Sequence, residues 1–353
     1  MPEQRLLQAF DRQIAWCQQP SPFGARVLAR SRAWLAQHEE PLKLLSALAD
    51  DPLAAAVSLR WLAGLHHLAL LGRQPWAGLW PTARQAWTDE ELDQAISLGW
   101  SQQRPHLLAA LAGPPQTNEV QRSAALLPGL LHIAHRTGQP LALAEIGASA
   151  GLNLWCDHYR HDHGEAAWAW GNPAAGLTLS CEWTGTPPPL APLRISRRAG
   201  CDMSPVDLAR AGEDLRLTSF IWADQLERLS RVRSAIGVVA NHMAQEGVQV
   251  RAQHAADFVR EQLANRPAQG AWVLMHSVVW QYIGAEEQAD IEEQMELAGQ
   301  SATTQAPLAW LRMEPLKADL RVELRCRIWP GGADELLAVC HPHGAWVQWQ
   351  RAA

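Results

Sequence analysis

Residues 141–153 read LALAEIGASAGLN. A short apolar run ends at Glu145 and Ile146, Gly147, Ser149 and Gly151 follow at alternate positions, and Leu152-Asn153-Leu154 leads into what reads as a helix. An apolar run this short, bounded by glycine, is the pattern of a parallel strand covered on both faces. A glycine turn and a helix start directly after it bring backbone N–H groups against a nucleotide-like ligand. The stretch predicts an α/β fold whose binding site begins at the end of this strand.

The dinucleotide spacing G-x-G-x-x-G is absent, and what stands there is E-x-G-x-S-x-G. This resembles motif I of the class I S-adenosylmethionine-dependent methyltransferases, whose strand-end loop wraps the methionine part of the cofactor. Ser149 stands where many members of that family carry a second glycine. A strand, a glycine and a helix also follow one another in α/β proteins for packing reasons alone.

At 353 residues the chain makes one large domain or two of ordinary size. The formal charge of -6 and the lack of basic runs argue against a nucleic-acid partner held by its phosphates. MPEQRLLQAFDRQ at the N-terminus has no secretory signal layout. The most apolar segment, 53–71, contains Arg60, His66 and His67. An arginine near mid-span costs about 2.5–3.5 kcal/mol, so the segment reads as a buried helix and no membrane association is expected. Six scattered cysteines without a C-x-x-C pair fit reduced thiols and a cytoplasmic location. Eighteen Trp against two Tyr and four Phe point to indoles as the large core aromatics.

Residues 1–137 read as an all-helical region, with helices near 3–18, 24–37, 41–49, 52–71, 89–99, 103–112 and 118–137 and no strand before 141. Residues 116–122, QTNEVQR, crowd polar groups ahead of an apolar helix. They make a helix N-cap, and they also place Asn118, Glu119 and Arg122 where a ligand over the neighbouring loop could meet them.

Residues 138–353 read as a Rossmann-like, mostly parallel sheet. An insertion near 155–193 interrupts it, rich in Gly, Pro and Trp, with β-like pieces at 177–183 and an inserted hairpin or loop as its expected form. A second strand is expected over 193–198, then a helix from 219 to 244, strands at 248–252, 271–275 and 308–313, helices from 254 and over 285–299, and an antiparallel end made of 320–329, 335–340 and 345–349. After the second strand, G-x-D-x-S-P-x-x-L over 200–208 resembles methyltransferase motif II. That resemblance implies that Asp202 accepts hydrogen bonds from both ribose hydroxyls, a task suited to a group with acceptors only. The same run makes a helix start, capped by Ser204 with Pro205 at the first position. By the same resemblance Asp257, after the third strand, meets the adenine edge, and Glu145, Gly147, Ser149, Gly151 and Asn153 shape the methionine end. His276, closing the fourth strand, is the expected general base or substrate contact, with Trp280 and Tyr282 as pocket wall.

Other chemistries lack an anchor. CDHYRHDH over 156–163 has ligand-type residues at close spacing but no second cluster, and reads as an exposed polar loop and not as a metal site. G-x-S-x-G, a P-loop lysine and H-E-x-x-H are missing. Across nearly its whole length the chain is similar to a bacterial family of uncharacterised proteins with a helical N-terminal region and a methyltransferase-like domain, on QTNEVQR, EIGASAGLNL, RAGCDMSP and HSVVWQY. The sequence thus predicts S-adenosylmethionine-dependent methyl transfer to a small-molecule acceptor. Two alternatives stand beside it: a non-catalytic binding protein on the same fold, favoured by Ser149 and the insertion, and a nicotinamide or other nucleotide enzyme, disfavoured by the absence of G-x-G-x-x-G. The oligomeric state is not readable from these features.

Overall fold

A computed structural model describes residues 2–79, 88–164, 167–316 and 321–350. Its helices are α1 (Pro2–Cys17), α2 (Pro22–Gln37), α3 (Glu39–Ser46), α4 (Val57–Leu70), α5 (Trp76–Leu79), α6 (Asp89–Ala112), α7 (Ser123–Thr137), α8 (Glu213–Ser219), α9 (Leu226–Glu246), α10 (Ala255–Ala264) and α11 (Ala285–Gln300). Its strands are β1 (Leu141–Ile146), β2 (Arg160–Asp162), β3 (Ala169–Trp170), β4 (Thr178–Leu179), β5 (Glu182–Thr184), β6 (Ile195–Asp202), β7 (Val250–Ala252), β8 (Ala271–Ser277), β9 (Leu308–Pro315), β10 (Val322–Trp329), β11 (Asp334–Cys340) and β12 (Trp346–Trp349).

The chain divides into two compact units, the first made of residues 1–117 and 210–233, the second of 118–209 and 234–353. The first is helical. Its core joins Leu6, Phe10, Leu28, Leu35, Trp61, Leu65, Ile96 and Leu107, and Trp34, Trp61 and Trp100 lie 6.2–6.4 Å apart, ring to ring. Three helices differ from their sequence patterns here. The helix expected from Pro52 begins at Val57, because Asp51 caps a turn through Leu53 N and Ala54 N and Ala56 then takes a left-handed φ of 50°. The two helices expected over 89–112 run as one, with Gln103 non-helical just ahead of Pro105, which cannot donate to the preceding turn. The helix expected over 219–244 is α9, preceded by α8, which closes through Phe220 N to Leu217 O and Ile221 N to Thr218 O.

In the second unit nine strands form one mixed, mostly parallel sheet in the order β5-β12-β11-β10-β9-β8-β1-β6-β7. From β9 to β7 every neighbouring pair is parallel, and β9 through β12 form an antiparallel meander. β1 and β8 are buried along their whole length, as central parallel strands must be. One face packs Ala142, Ala144, Ile146, Trp272, Leu274 and Trp310 against Phe258, Ile291 and Met295 of α10 and α11. The expected strand 320–329 is β10, and Leu320 lies outside the described residues.

The insertion is more ordered than its sequence suggests. A 3-10 segment, Leu152–His158, stands where a helix was expected, β3-β2-β4 make a small second sheet, and β5 joins the edge of the main sheet beside β12. The 156–163 run is therefore no exposed loop: Cys156 and His161 are fully buried and Arg198 grips Asp157 through two hydrogen bonds of 3.0 and 2.9 Å. Among the described residues no helix is long and apolar enough to cross a membrane.

Candidate functional site

β1 is followed by β6 and β7 on one side, and the chain then crosses back to place β8 and β9 on the other. The order reverses between β1 and β8. In open α/β sheets the crevice outside the strand C-termini at such a reversal is the ligand site. Glu145 and the loop after β1, Asp202 at the tip of β6, and His276 with Ser277 at the end of β8 all lie at this edge.

The loop after β1 needs left-handed backbone three times, with φ of 67° at Gly147, 54° at Ser149 and 76° at Gly151. Glycine takes it freely, whereas a serine there is strained by about 1 kcal/mol or more. Ser149 thus keeps the conformation a glycine would have. Asp202 fastens the loop: Ser149 N donates to its Oδ2 at 3.0 Å and Ser204 N to its Oδ1 at 2.8 Å. Val206 N donates in turn to Ser149 O at 3.1 Å. With these N–H groups spent on the loop, residues 203–209 form no helix, and the capped start expected at Ser204-Pro205 is not made.

Glu145 is 2 % exposed, and its Oε2 has no hydrogen-bond partner among the described residues. Burial, and after it the negative charge of Asp202, raises its pKa well above the ordinary carboxyl value, with Arg122 opposing. Gly200 is its register partner on β6, where a Cβ would stand 3.0 Å from Ala148 Cβ and 3.1 Å from Leu154 Cδ1.

Residues 118–123 stitch this edge together. Leu152 N donates to Asn118 Oδ1 at 2.9 Å, Ser123 Oγ to Asn153 Oδ1 at 2.8 Å, and Gln121 Nε2 to Ser180 O at 2.9 Å. Arg122 donates to Ser277 O at 3.1 Å and Pro342 O at 3.0 Å, while Glu119 accepts from Gln121 N and lies 3.5 Å from His343. The helix expected over 118–137 opens as a 3-10 turn, Val120–Arg122, before α7.

His276 is fully buried. Its Nδ1 meets Glu314 Oε1 at 2.6 Å, its ring stacks on Trp280 at 5.1 Å, and its Nε2 has no partner among the described residues. Side chains alternate along a strand, so His276 faces opposite to Met275, the register partner of Glu145, and lies on the α10 and α11 face.

A model of the family described as "Uncharacterized protein conserved in bacteria (DUF2332)" matches residues 7–349. The chain belongs to that family. No curated protein and no solved structure matches this DUF2332 chain. Its edge gathers Glu145, Gly147, Ser149, Gly151, Asn153 and Asp202 with Asn118 and Arg122, although Asn118 and Asn153 spend their side-chain oxygens on the protein itself. Asp257 is exposed in the first turn of α10 and pairs with Arg260 at 2.6 Å. Tyr282 is 77 % exposed, while Trp280 is partly buried against His276. Glu314 of this DUF2332 protein went unread in the sequence, because it sits on β9 beyond the strand end that the apolar run marks, and Arg198, at the end of the expected strand 193–198, lies 4.2 Å over the Trp155 ring. Among the described residues no three His, Cys, Asp or Glu side chains could hold a metal ion.

Proposed function

We propose that the second unit is an S-adenosylmethionine-dependent methyltransferase acting on a small molecule. The observation that carries this reading is the glycine-type loop after β1 tied to Asp202 at the reversal point of the parallel strands. Two features fit the cofactor: the orphaned Oε2 of Glu145, an acceptor or donor for a polar ligand end, and Asp202 at the tip of β6, an acceptor-only group of the kind a ribose diol calls for. When bound, the cofactor supplies an electrophilic methyl group. The chain's own contribution is alignment of the acceptor, with His276 taking a proton where the acceptor must lose one.

A non-catalytic binding protein on the same sheet is the second reading. It is favoured by the burial of Ala148, Ser149, Ala150 and Asn153 and by the internal use of Asn118 and Asn153. Ultraviolet cross-linking with methyl-labelled S-adenosylmethionine tests the first. Label competed away by S-adenosylhomocysteine but not by NAD, and mapped to peptides spanning 145–154 or 200–206, supports it. Labelling elsewhere, or none in folded protein, overturns it.

A further inference from the structure

At the end of β8, on the face opposite Glu145, two strands place a histidine and a carboxylate in contact. His276 pairs in register with Arg312, so Glu314, two residues on, shares its face and accepts at 2.6 Å from Nδ1. Glu314 Oε1 also accepts from Val279 N at 3.1 Å. That leaves His276 Nε2 and Glu314 Oε2 buried without partners among the described residues. A buried polar atom without a partner is destabilising, so two in one spot call for a reason. A carboxylate on Nδ1 fixes the tautomer with the proton there and leaves Nε2 as the acceptor.

The chain just after β8 covers this pair. Val278 holds a φ of 53°, a left-handed conformation that a β-branched residue adopts only under strain. Val279 fills the space beside Gly147, and Trp280 stacks on His276 and meets Trp310 edge-on at 5.6 Å. Gln288 of α11 holds the segment through Nε2, which donates to Trp280 O at 2.7 Å and to Ile283 O at 2.9 Å, and Val279, Trp280 and Ile283 pack on the core that includes Ile291. Gln281 and Tyr282 are exposed, Tyr282 at 77 %, whereas Ile283 is half-buried.

We propose that His276 and Glu314 form a proton-accepting dyad under a movable cover, residues 278–283, and that its substrate is a flat apolar molecule bearing a weakly acidic O–H or N–H that lies against Trp280 and Trp310. The inference deepens the proposed methyl transfer by naming the class of acceptor. The O–H or N–H bond breaks with its electron pair kept by the heteroatom, Nε2 takes the proton, and the imidazolium so formed is held by Glu314, a positioning residue. The proton later returns to solvent.

Two readouts on the full-length protein test this, and neither uses S-adenosylmethionine, so failure of cofactor binding and failure of the dyad are told apart. Nitrogen spectra of histidine-labelled protein report the tautomer; the dyad requires a proton on Nδ1 and a bare Nε2 at His276. Diethyl pyrocarbonate with peptide mapping reports access to Nε2, with the exposed His254 and His343 as references. Reaction at His276 is limited by local opening and is expected about tenfold faster in Gln288→Ala and about tenfold slower in Glu314→Gln, whose imidazole lacks an anionic partner. A protonated Nε2 overturns the proposal. So does a His276 that stays unmodified in both the wild type and Gln288→Ala while His254 and His343 react fully.

Discussion

Replacing Gly147 by alanine separates two costs that the loop after β1 avoids by using glycine. At φ 67° an alanine is strained by about 1–2 kcal/mol. Its Cβ would also stand 2.7 Å from Val279 Cβ, a distance that forces backbone or side chain to shift, and overpacking of this kind costs about 1–3 kcal/mol. The sum is a loss of about 2–5 kcal/mol. Gly138, at the C-terminus of α7, has nearly the same φ of 65° but no atom within 4 Å of a Cβ. Gly138→Ala therefore meets the backbone term alone, about 1–2 kcal/mol. Urea unfolding of both variants, followed by far-ultraviolet dichroism and by tryptophan fluorescence, gives the difference directly. Adding Val279→Ala to Gly147→Ala is expected to recover most of the contact term. If Gly147→Ala is no less stable than Gly138→Ala, or if Val279→Ala gives no recovery, the close approach of the 278–283 segment to this loop is wrong.

Two further outcomes follow from buried charge. Arg198→Met leaves Asp157 without its bidentate partner, Leu154 O without its donor and the Trp155 ring without its cation, and is expected to cost about 3–5 kcal/mol in urea; a loss below about 1 kcal/mol would place the pair among exposed ones. His161 is buried, donates through Nε2 to Cys156 O, and burial lowers its pKa to about 3. The unfolded chain binds a proton there below about 6.5 and the folded chain does not, so this contribution to stability is complete above pH 6.5 and is lost as pH falls from 6.5 toward 3. The slope is about 1.4 kcal/mol per pH unit, so the advantage of wild type over His161→Gln shrinks by about 2 kcal/mol between pH 7 and pH 5. Glu145, its pKa raised, acts in the opposite sense and cancels in that difference. A pH-independent gap between the two proteins would contradict the burial of a neutral His161.

What could be read from the sequence was whatever repeats with the period of a strand or helix. LALA, closed by Glu145 and Ile146, and AWVLM are the short apolar runs of β1 and β8, and the glycines after β1 adopt the left-handed backbone their residue type suggests. Asp202 is singled out by the resemblance of G-x-D-x-S-P-x-x-L to methyltransferase motif II, and the helix expected after it does not form because Asp202 itself takes the Ser204 N–H. The small strands β2, β3 and β4 are two or three residues each, too short for any period to show, and their pairing is decided by tertiary contact. Glu314 was invisible for a related reason. Its meaning lies in the alignment of β9 with β8, which brings residues 38 positions apart into contact and leaves no local trace.

The proposed function stands or falls on whether the edge formed by Glu145, the 147–151 loop and Asp202 takes an adenosyl ligand. Calorimetric titration of the purified protein with S-adenosylhomocysteine tests it most directly, beside Asp202→Ala shown to be folded and with NAD as control. Binding near the micromolar range, about 8 kcal/mol, is expected, lost in Asp202→Ala and not shown by NAD. Absence of heat with the folded wild-type protein, or equal binding by the variant, would contradict it.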